Sequence, residues 1–339
     1  MFADELLDTA RALTGVDALS FEAAPVRFDG GYFTENHGFS LLGAPPPWDG
    51  PLVVRLFPSS MPLELVRVEV TVQRTVAEQG FATPSVVAFD ETARLAGRRF
   101  LVMERLPGAA MLAGAGLGTV LRHGPRLVGD LARTTAELQV ALHRLDPEPV
   151  REELGPDAAT VDRWFRHLRE RIEAGAHGFS AGLDWLVANR PKDGDVVLCH
   201  GDLWPGNILV EGTKVSGVLD WTVATVAPPA LDVGYTAMAF DLAPIEAPRP
   251  IQRMISRAGR AITRRYVRAY RQLSPVDLST RPYYEALRCA SELANVADRR
   301  LSPVTDAPVP TWASVVPAMV DYFASRTGGV RLDVPPQSD

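Results

Sequence analysis

Residues 200–221 read HGDLWPGNILVEGTKVSGVLDW. An apolar run, VVLC, leads into His200 and Gly201, and Asp202 stands at its end. Asn207 comes five residues after Asp202, and Asp220 closes the strand-like stretch VSGVL. Gly212 sits near the turn of the hairpin between them. A carboxylate at a strand end can accept a proton from a substrate hydroxyl. An amide oxygen and a second carboxylate can hold a hard divalent cation that keeps several of its waters. Asp202, Asn207 and Asp220 are thus the minimal set for moving a phosphoryl group from a nucleotide.

Outward from this hairpin the chain changes character. Residues 4–14 have helical spacing, with Leu6, Leu7, Ala10 and Leu13 on one face. Strand signals follow at 21–28, 32–42 and 51–57, with the turn-rich stretch APPPWDG at 44–50. Residues 62–79 predict a helix stopped by Gly80. Two more strands are expected at 85–89 and 99–103, joined by DETAR. Pro107-Gly108 marks a boundary, and helical periodicity dominates beyond it, near 125–145, 160–174, 180–189, 250–273, 282–299 and 311–326. The tail from Gly328 is punctuated by Pro and Gly and is expected to fray. This order gives an α+β chain with a two-lobed, protein-kinase-like outline. A small β-rich lobe covers 1–105, a larger, mainly helical lobe covers 106–327, and 328–339 is a tail.

The 339 residues carry 46% hydrophobic and 22% charged residues, the balance of a globular protein with a sizeable core. A net charge of −6 gives no global basic field for nucleic acid or an anionic membrane. No apolar run is long enough to span a bilayer, and the acidic, amphipathic N-terminus does not read as a signal peptide. Cys199 and Cys289 form neither a disulfide framework nor a zinc spacing, which fits a reducing, cytoplasmic setting.

HGDLWPGN followed by LDW resembles the aminoglycoside phosphotransferase and choline kinase-like family. The resemblance extends upstream. LVRVE, ending at Glu69, is similar to the family's helix with the ion-pairing glutamate. EQGFATP (78–84) is similar to the segment entering the next strand, and FLVMERLPG (100–108) to the hinge that meets the adenine. The resemblance implies that Asp202 is the catalytic base and that Asn207 and Asp220 bind Mg2+. It also implies nucleotide contacts at the hinge, around Met103, through the Glu104 carbonyl and the Leu106 amide. The cofactors would be ATP, with GTP as the alternative, and Mg2+. The partner would be a small-molecule hydroxyl: an antibiotic, an amino alcohol or a sugar. Oligomeric state is left open.

One strand departs from the family pattern. PLVVRLF puts Arg55 where the family usually has a phosphate-binding lysine, and the only lysines, Lys192 and Lys214, lie far downstream. An arginine can bind phosphate through its fork and can pair with Glu69. An active kinase using Arg55 is the first expectation; a nucleotide-binding pseudokinase or regulatory module is the alternative. Gly30-Gly31 stands where a phosphate-covering turn is expected, although such a pair is more often a plain turn. His200 is expected to brace its loop; a zinc hydrolase built on His200 and Asp202 is the remote option. Asp232 is expected to cap a helix starting near Val233. Trp164, Phe165, Tyr283, Tyr284 and Trp312 suit a core better than an acceptor site.

Overall fold

A computed structural model of the chain describes residues 2–28, 34–111, 117–155, 160–192, 194–244, 249–301 and 310–336. Gly30 and Gly31 lie outside the described residues. The chain forms two compact units: residues 1–111 with 206–223, and residues 112–205 with 224–339.

The first unit is built on an antiparallel sheet. Its strands are β1 (Val26–Phe28), β2 (Glu35–Phe39), β3 (Leu52–Leu56), β4 (Val86–Leu95) and β5 (Arg98–Glu104), in the order β1-β2-β3-β5-β4. All five residues of β3 are buried because both faces of the strand are covered. Leu52, Val54 and Leu56 pack with Leu6 and Ala10 of helix α1 (Phe2–Thr14). Val53, and Phe57 just past the strand, point the other way, onto Val66 and Val70 of helix α2 (Leu63–Glu78). Covering on both faces accounts for the unbroken apolar run that surrounds Arg55. Gly80, at φ +82°, ends α2 as expected, and the Gly80 and Phe81 N–H groups close the helix onto Ala77 and Val76.

DETAR does not join two strands. It continues β4 to Leu95, and the turn falls at Ala96-Gly97. Asp90 accepts hydrogen bonds from the Thr92 N–H and hydroxyl, and the register with β5 shifts between Asp90 and Leu95. Turn-forming residues are spent here on a bulge within the ladder.

The second unit is helical: α3 (Leu117–Leu142), α4 (Glu148–Leu154), α5 (Asp162–Glu173), α6 (Ser180–Ala188), α7 (Pro229–Leu242), α8 (Arg249–Leu273), α9 (Arg281–Leu301) and α10 (Val316–Arg326). Helix α7 is apolar around almost its whole circumference and lies in the core against α8 and α9, as such a helix must. Trp164, Phe165, Tyr283, Tyr284 and Trp312 all belong to this core. Strand Val197–Cys199 pairs antiparallel with Thr225–Ala227.

This unit departs from the sequence reading at α4 and at the tail. α4 has no sequence signal, because seven residues opening on Glu-Pro carry too few apolar positions to show a period. The described part of the tail, 328–336, does not fray: Leu332 is buried in the core, the Asp333 N–H donates to the Gly178 carbonyl, and Arg300 holds the Pro335 carbonyl. Among the described residues, no helix is long and apolar enough to cross a membrane.

Candidate active site

In the first unit, alternation along β3 puts Arg55 on the face turned toward α2. Glu69 stands one turn beyond Val66 on α2, on the helix face that meets the sheet. Arg55 Nε lies 3.0 Å from Glu69 Oε1. The N–H is not aimed along that line, so this contact is coulombic rather than a linear hydrogen bond. Arg55 Nη2 donates to Asp220 Oδ1 at 3.3 Å and to Thr222 Oγ1 at 3.1 Å. The Thr222 hydroxyl lies 2.6 Å from Asp220 Oδ1 and 3.0 Å from Glu69 Oε2, and its single proton serves one of them at a time. Burial opposes the charge on Arg55, but the Glu69 and Asp220 carboxylates outweigh it and keep the guanidinium protonated. Burial pushes Glu69 up to about 7, against the pull of Arg55.

Asp220 is positioned by its neighbours. The Val218 N–H donates to the Ala82 carbonyl and Thr83 Oγ1 to the Val218 carbonyl, so the hairpin Ile208–Glu211/Lys214–Val218 is tied to the segment after α2. The fully buried Trp221 donates to Thr83 Oγ1 at 2.9 Å and packs edge-on against Phe81. The Leu219 N–H donates to the Asn207 carbonyl at 2.8 Å, which ties the Asn207 backbone to the residue before Asp220. Asp220 itself has φ +69°. A non-glycine residue there is strained, and such strain persists only where the surroundings impose it. Its side chain remains 39% exposed, so the carboxylate stays open to a ligand.

At the hinge, the Glu104 N–H donates to the Ser85 carbonyl and the Arg105 N–H to the Pro51 carbonyl. Met103 is buried beside Gln73, and the Leu106 side chain covers Gly217. Gly108, at φ +99°, passes so close to Val210 that a Cβ would sit 2.4 Å from its carbonyl oxygen.

In the second unit, His200 is fully buried. Its Nδ1 accepts the Asp202 N–H at 3.2 Å, the bracing role expected of it. Asp232 does not cap a helix. Helix α7 begins at Pro229, after Pro228, and Asp232 lies inside it with no exposure. Its carboxylate accepts the His200 N–H at 3.0 Å, the Gly201 N–H at 2.8 Å and His143 Nε2 at 3.0 Å. His143 Nδ1 meets the Tyr270 hydroxyl at 2.7 Å. Burial would raise the Asp232 pKa, but these hydrogen bonds and the neighbouring histidines hold it below the usual carboxylate range. Asp202, half-buried, follows directly on this anchored segment.

His143, Cys199 and Asp232 bring ligand atoms within reach of one ion. Burial and the Asp232 charge push the Cys199 thiol well up, however, so it stays protonated and is a poor ligand. Thr222 and His143 are absent from the residues the motifs pick out. The only sequence signal for Thr222 is a hydroxyl two positions after Asp220.

The phosphotransferase enzyme family matches residues 46–275. A mouse (Mus musculus) protein named acyl-CoA dehydrogenase family member 10 is 26% identical over 211 residues, which cover 57% of this chain and 19% of that protein. The chain thus spans about a fifth of the curated relatives it matches first. An aminoglycoside 3'-phosphotransferase of Streptomyces fradiae is 34% identical over 137 residues, covering 37% of this chain and 50% of that one. Among solved structures, a candidate aminoglycoside phosphotransferase from Ralstonia eutropha superposes with a TM-score of 0.65 at 18% identity, covering 96% of this chain and 98% of the other. A thermostable mutant of another aminoglycoside phosphotransferase, in ternary complex with ADP and hygromycin B, superposes at 0.53 with 15% identity and 96% coverage of both chains. The α+β, protein-kinase-like fold expected from the order of motifs is the fold of these structures.

Proposed function

Because the chain belongs to the phosphotransferase enzyme family, we propose that it transfers the γ-phosphoryl group of ATP or GTP to a hydroxyl of a small molecule. Asp202 is the base that accepts the hydroxyl proton. Asn207 and Asp220 supply an amide and a carboxylate oxygen, a donor set suited to Mg2+, and the exposure of Asp220 leaves room for such an ion. Bound there, the ion would neutralise charge on the nucleotide phosphates. Arg55 serves the phosphates in place of a lysine, and Glu69 orients it. Met103, Glu104 and Leu106 meet the base of the nucleotide.

The observation that carries this reading is the buried Arg55–Glu69 pair, whose guanidinium also reaches Asp220. Buried charge of this kind is costly to keep for stability alone. The acceptor panel is aminoglycosides, macrolides and homoserine, which the names of relatives supply, together with amino alcohols and sugars. The test is phosphate transfer from ATP and GTP with Mg2+ across that panel, with Asp202→Ala as control. No transfer to any acceptor, together with a background nucleotide hydrolysis that Asp202→Ala leaves unchanged, would sink the proposal.

The same contact favours one second reading. A guanidinium already engaged with Asp220 suits a protein that binds nucleotide without turning it over. Thermal stabilisation by ATP with no turnover, and turnover appearing in Arg55→Lys, would favour that alternative.

A further inference from the structure

The segment bearing Asp202 is held from a second side, by groups that belong to no motif. Arg288, on α9, is only 2% exposed. Its guanidinium lies between two rings, 4.7 Å from the centroid of Trp164 on α5 and 4.7 Å from that of Tyr235 on α7. Its Nη2 donates to the Gly201 carbonyl at 3.3 Å and to Glu292 Oε1 at 2.9 Å. Tyr235 is buried as well, and its hydroxyl lies near enough to the Asp202 carboxylate to interact with it. Burial, together with the charges of Asp202 and Glu292, keeps the phenol protonated and able to donate to the carboxylate.

A role in stability alone fits these facts poorly. Arg288 Nε is buried with no hydrogen-bond partner. Replacing a buried charge by well-packed apolar groups is often neutral or stabilising. What Arg288 and Tyr235 share is contact with two successive residues, Gly201 and Asp202.

We infer that Arg288 and Tyr235 are positioning residues for Asp202. Arg288 fixes the Gly201 carbonyl and the plane of the Tyr235 ring, and the Tyr235 hydroxyl holds one carboxylate oxygen so that the side chain keeps a single rotamer. The inference rests on Asp202 being the base. Two effects of the tyrosine oppose each other. A donated hydrogen bond makes a carboxylate less basic, whereas orientation brings it into line with the hydroxyl it serves. Phosphoryl transfer passes through a loose transition state in which positioning matters more than the strength of the base. Orientation should therefore win, and removing the tyrosine hydroxyl should slow the reaction rather than speed it.

The experiment uses the full chain and three variants: Tyr235→Phe, Arg288→Met and Arg288→Lys. Mg2+-dependent ATP turnover gives kcat and the KM for ATP, and hydrogen exchange read by mass spectrometry follows residues 199–205. Tyr235→Phe is expected to lower kcat about tenfold and Arg288→Met about a hundredfold, with the KM for ATP unchanged. Arg288→Lys should recover part of that loss, since it keeps the charge without the fork. Arg288→Met should also speed exchange at 199–205 while leaving α10 as in the parent chain. A folded Tyr235→Phe variant with equal or higher kcat overturns the inference. If the parent chain itself turns over no nucleotide, the proposed function has failed, and exchange then decides the positioning role: unchanged rates at 199–205 in both Phe and Met variants overturn it.

Discussion

Glu69 and Arg55 offer a test of how the buried charge cluster is held, because the two partners have different escapes when separated. Glu69→Leu leaves a guanidinium that is 9% exposed with, among the described residues, Asp220 and Thr222 to answer it. Arginine cannot shed its proton, so the full penalty of a broken buried pair applies, about 3–5 kcal/mol. Arg55→Met leaves Glu69, 1% exposed, without its cation. That carboxyl is already pushed up to about 7 by burial. Near neutral pH it takes up a proton at little cost, which limits the loss to about 1–3 kcal/mol, the range for an imperfectly satisfied buried polar group. The double variant Arg55→Met/Glu69→Leu buries no charge and is expected within about 2 kcal/mol of the parent. The two singles together should therefore overshoot the double by about 4 kcal/mol. Scanning calorimetry on all four chains suits the measurement, since it resolves separate transitions if the units unfold independently. Additive losses, or equal losses for the two single variants, would refute the account of the pair as a buried couple with one neutralisable partner.

Three further outcomes follow from the same structure. Asp232→Ala strips the acceptor from two buried N–H groups and from His143, and should cost about 3–5 kcal/mol by denaturant unfolding; a loss under about 1 kcal/mol would count against the anchoring role. Gly108→Ala combines a left-handed backbone with a Cβ 2.4 Å from the Val210 carbonyl oxygen, so a loss of about 2 kcal/mol or more is expected, and a thermal midpoint equal to the parent's would contradict it. His167 has its pKa lowered to about 4, first by burial and then by Arg171. The unfolded chain then binds more protons between about 6.5 and 4, so stability is present above that window and falls as the pH drops through it, by about 3 kcal/mol in full. His167→Gln should flatten that limb of the pH–stability curve, and an unaltered slope would rule the group out as its source.

How much of this was legible in the sequence depends on whether a residue's role is local. The hairpin from Ile208 to Val218 and the helix stop at Gly80 follow from residue pattern, the pairing of Arg55 with Glu69 from the family resemblance, and all are present. Asp232 illustrates the opposite case. Its place before an apolar helix suggested a cap, but its partners are a histidine 89 residues upstream and two N–H groups at the end of another strand. Arg288 and Tyr235 were illegible for the same reason: on their own helices each is one more interior position, and only packing brings them to Gly201 and Asp202. DETAR misled in another way, since the Asp and Thr that favour turns also build bulges, and only the register with β5 tells the two apart.

The left-handed backbone of Asp220 bears on how this position could drift under mutation. Glycine and asparagine accept that backbone most readily, and both are a single base change from an aspartate codon, but both discard the charge. Glutamate is equally near in the code and keeps the charge, yet its longer side chain is poorly suited to positive φ and would shift the carboxylate away from Arg55 and Thr222. Alanine and valine, also one step away, lose the oxygens and keep the strain. No single-base neighbour preserves both conformation and carboxylate, so a lineage that leaves aspartate here cannot reach an equivalent residue in one step.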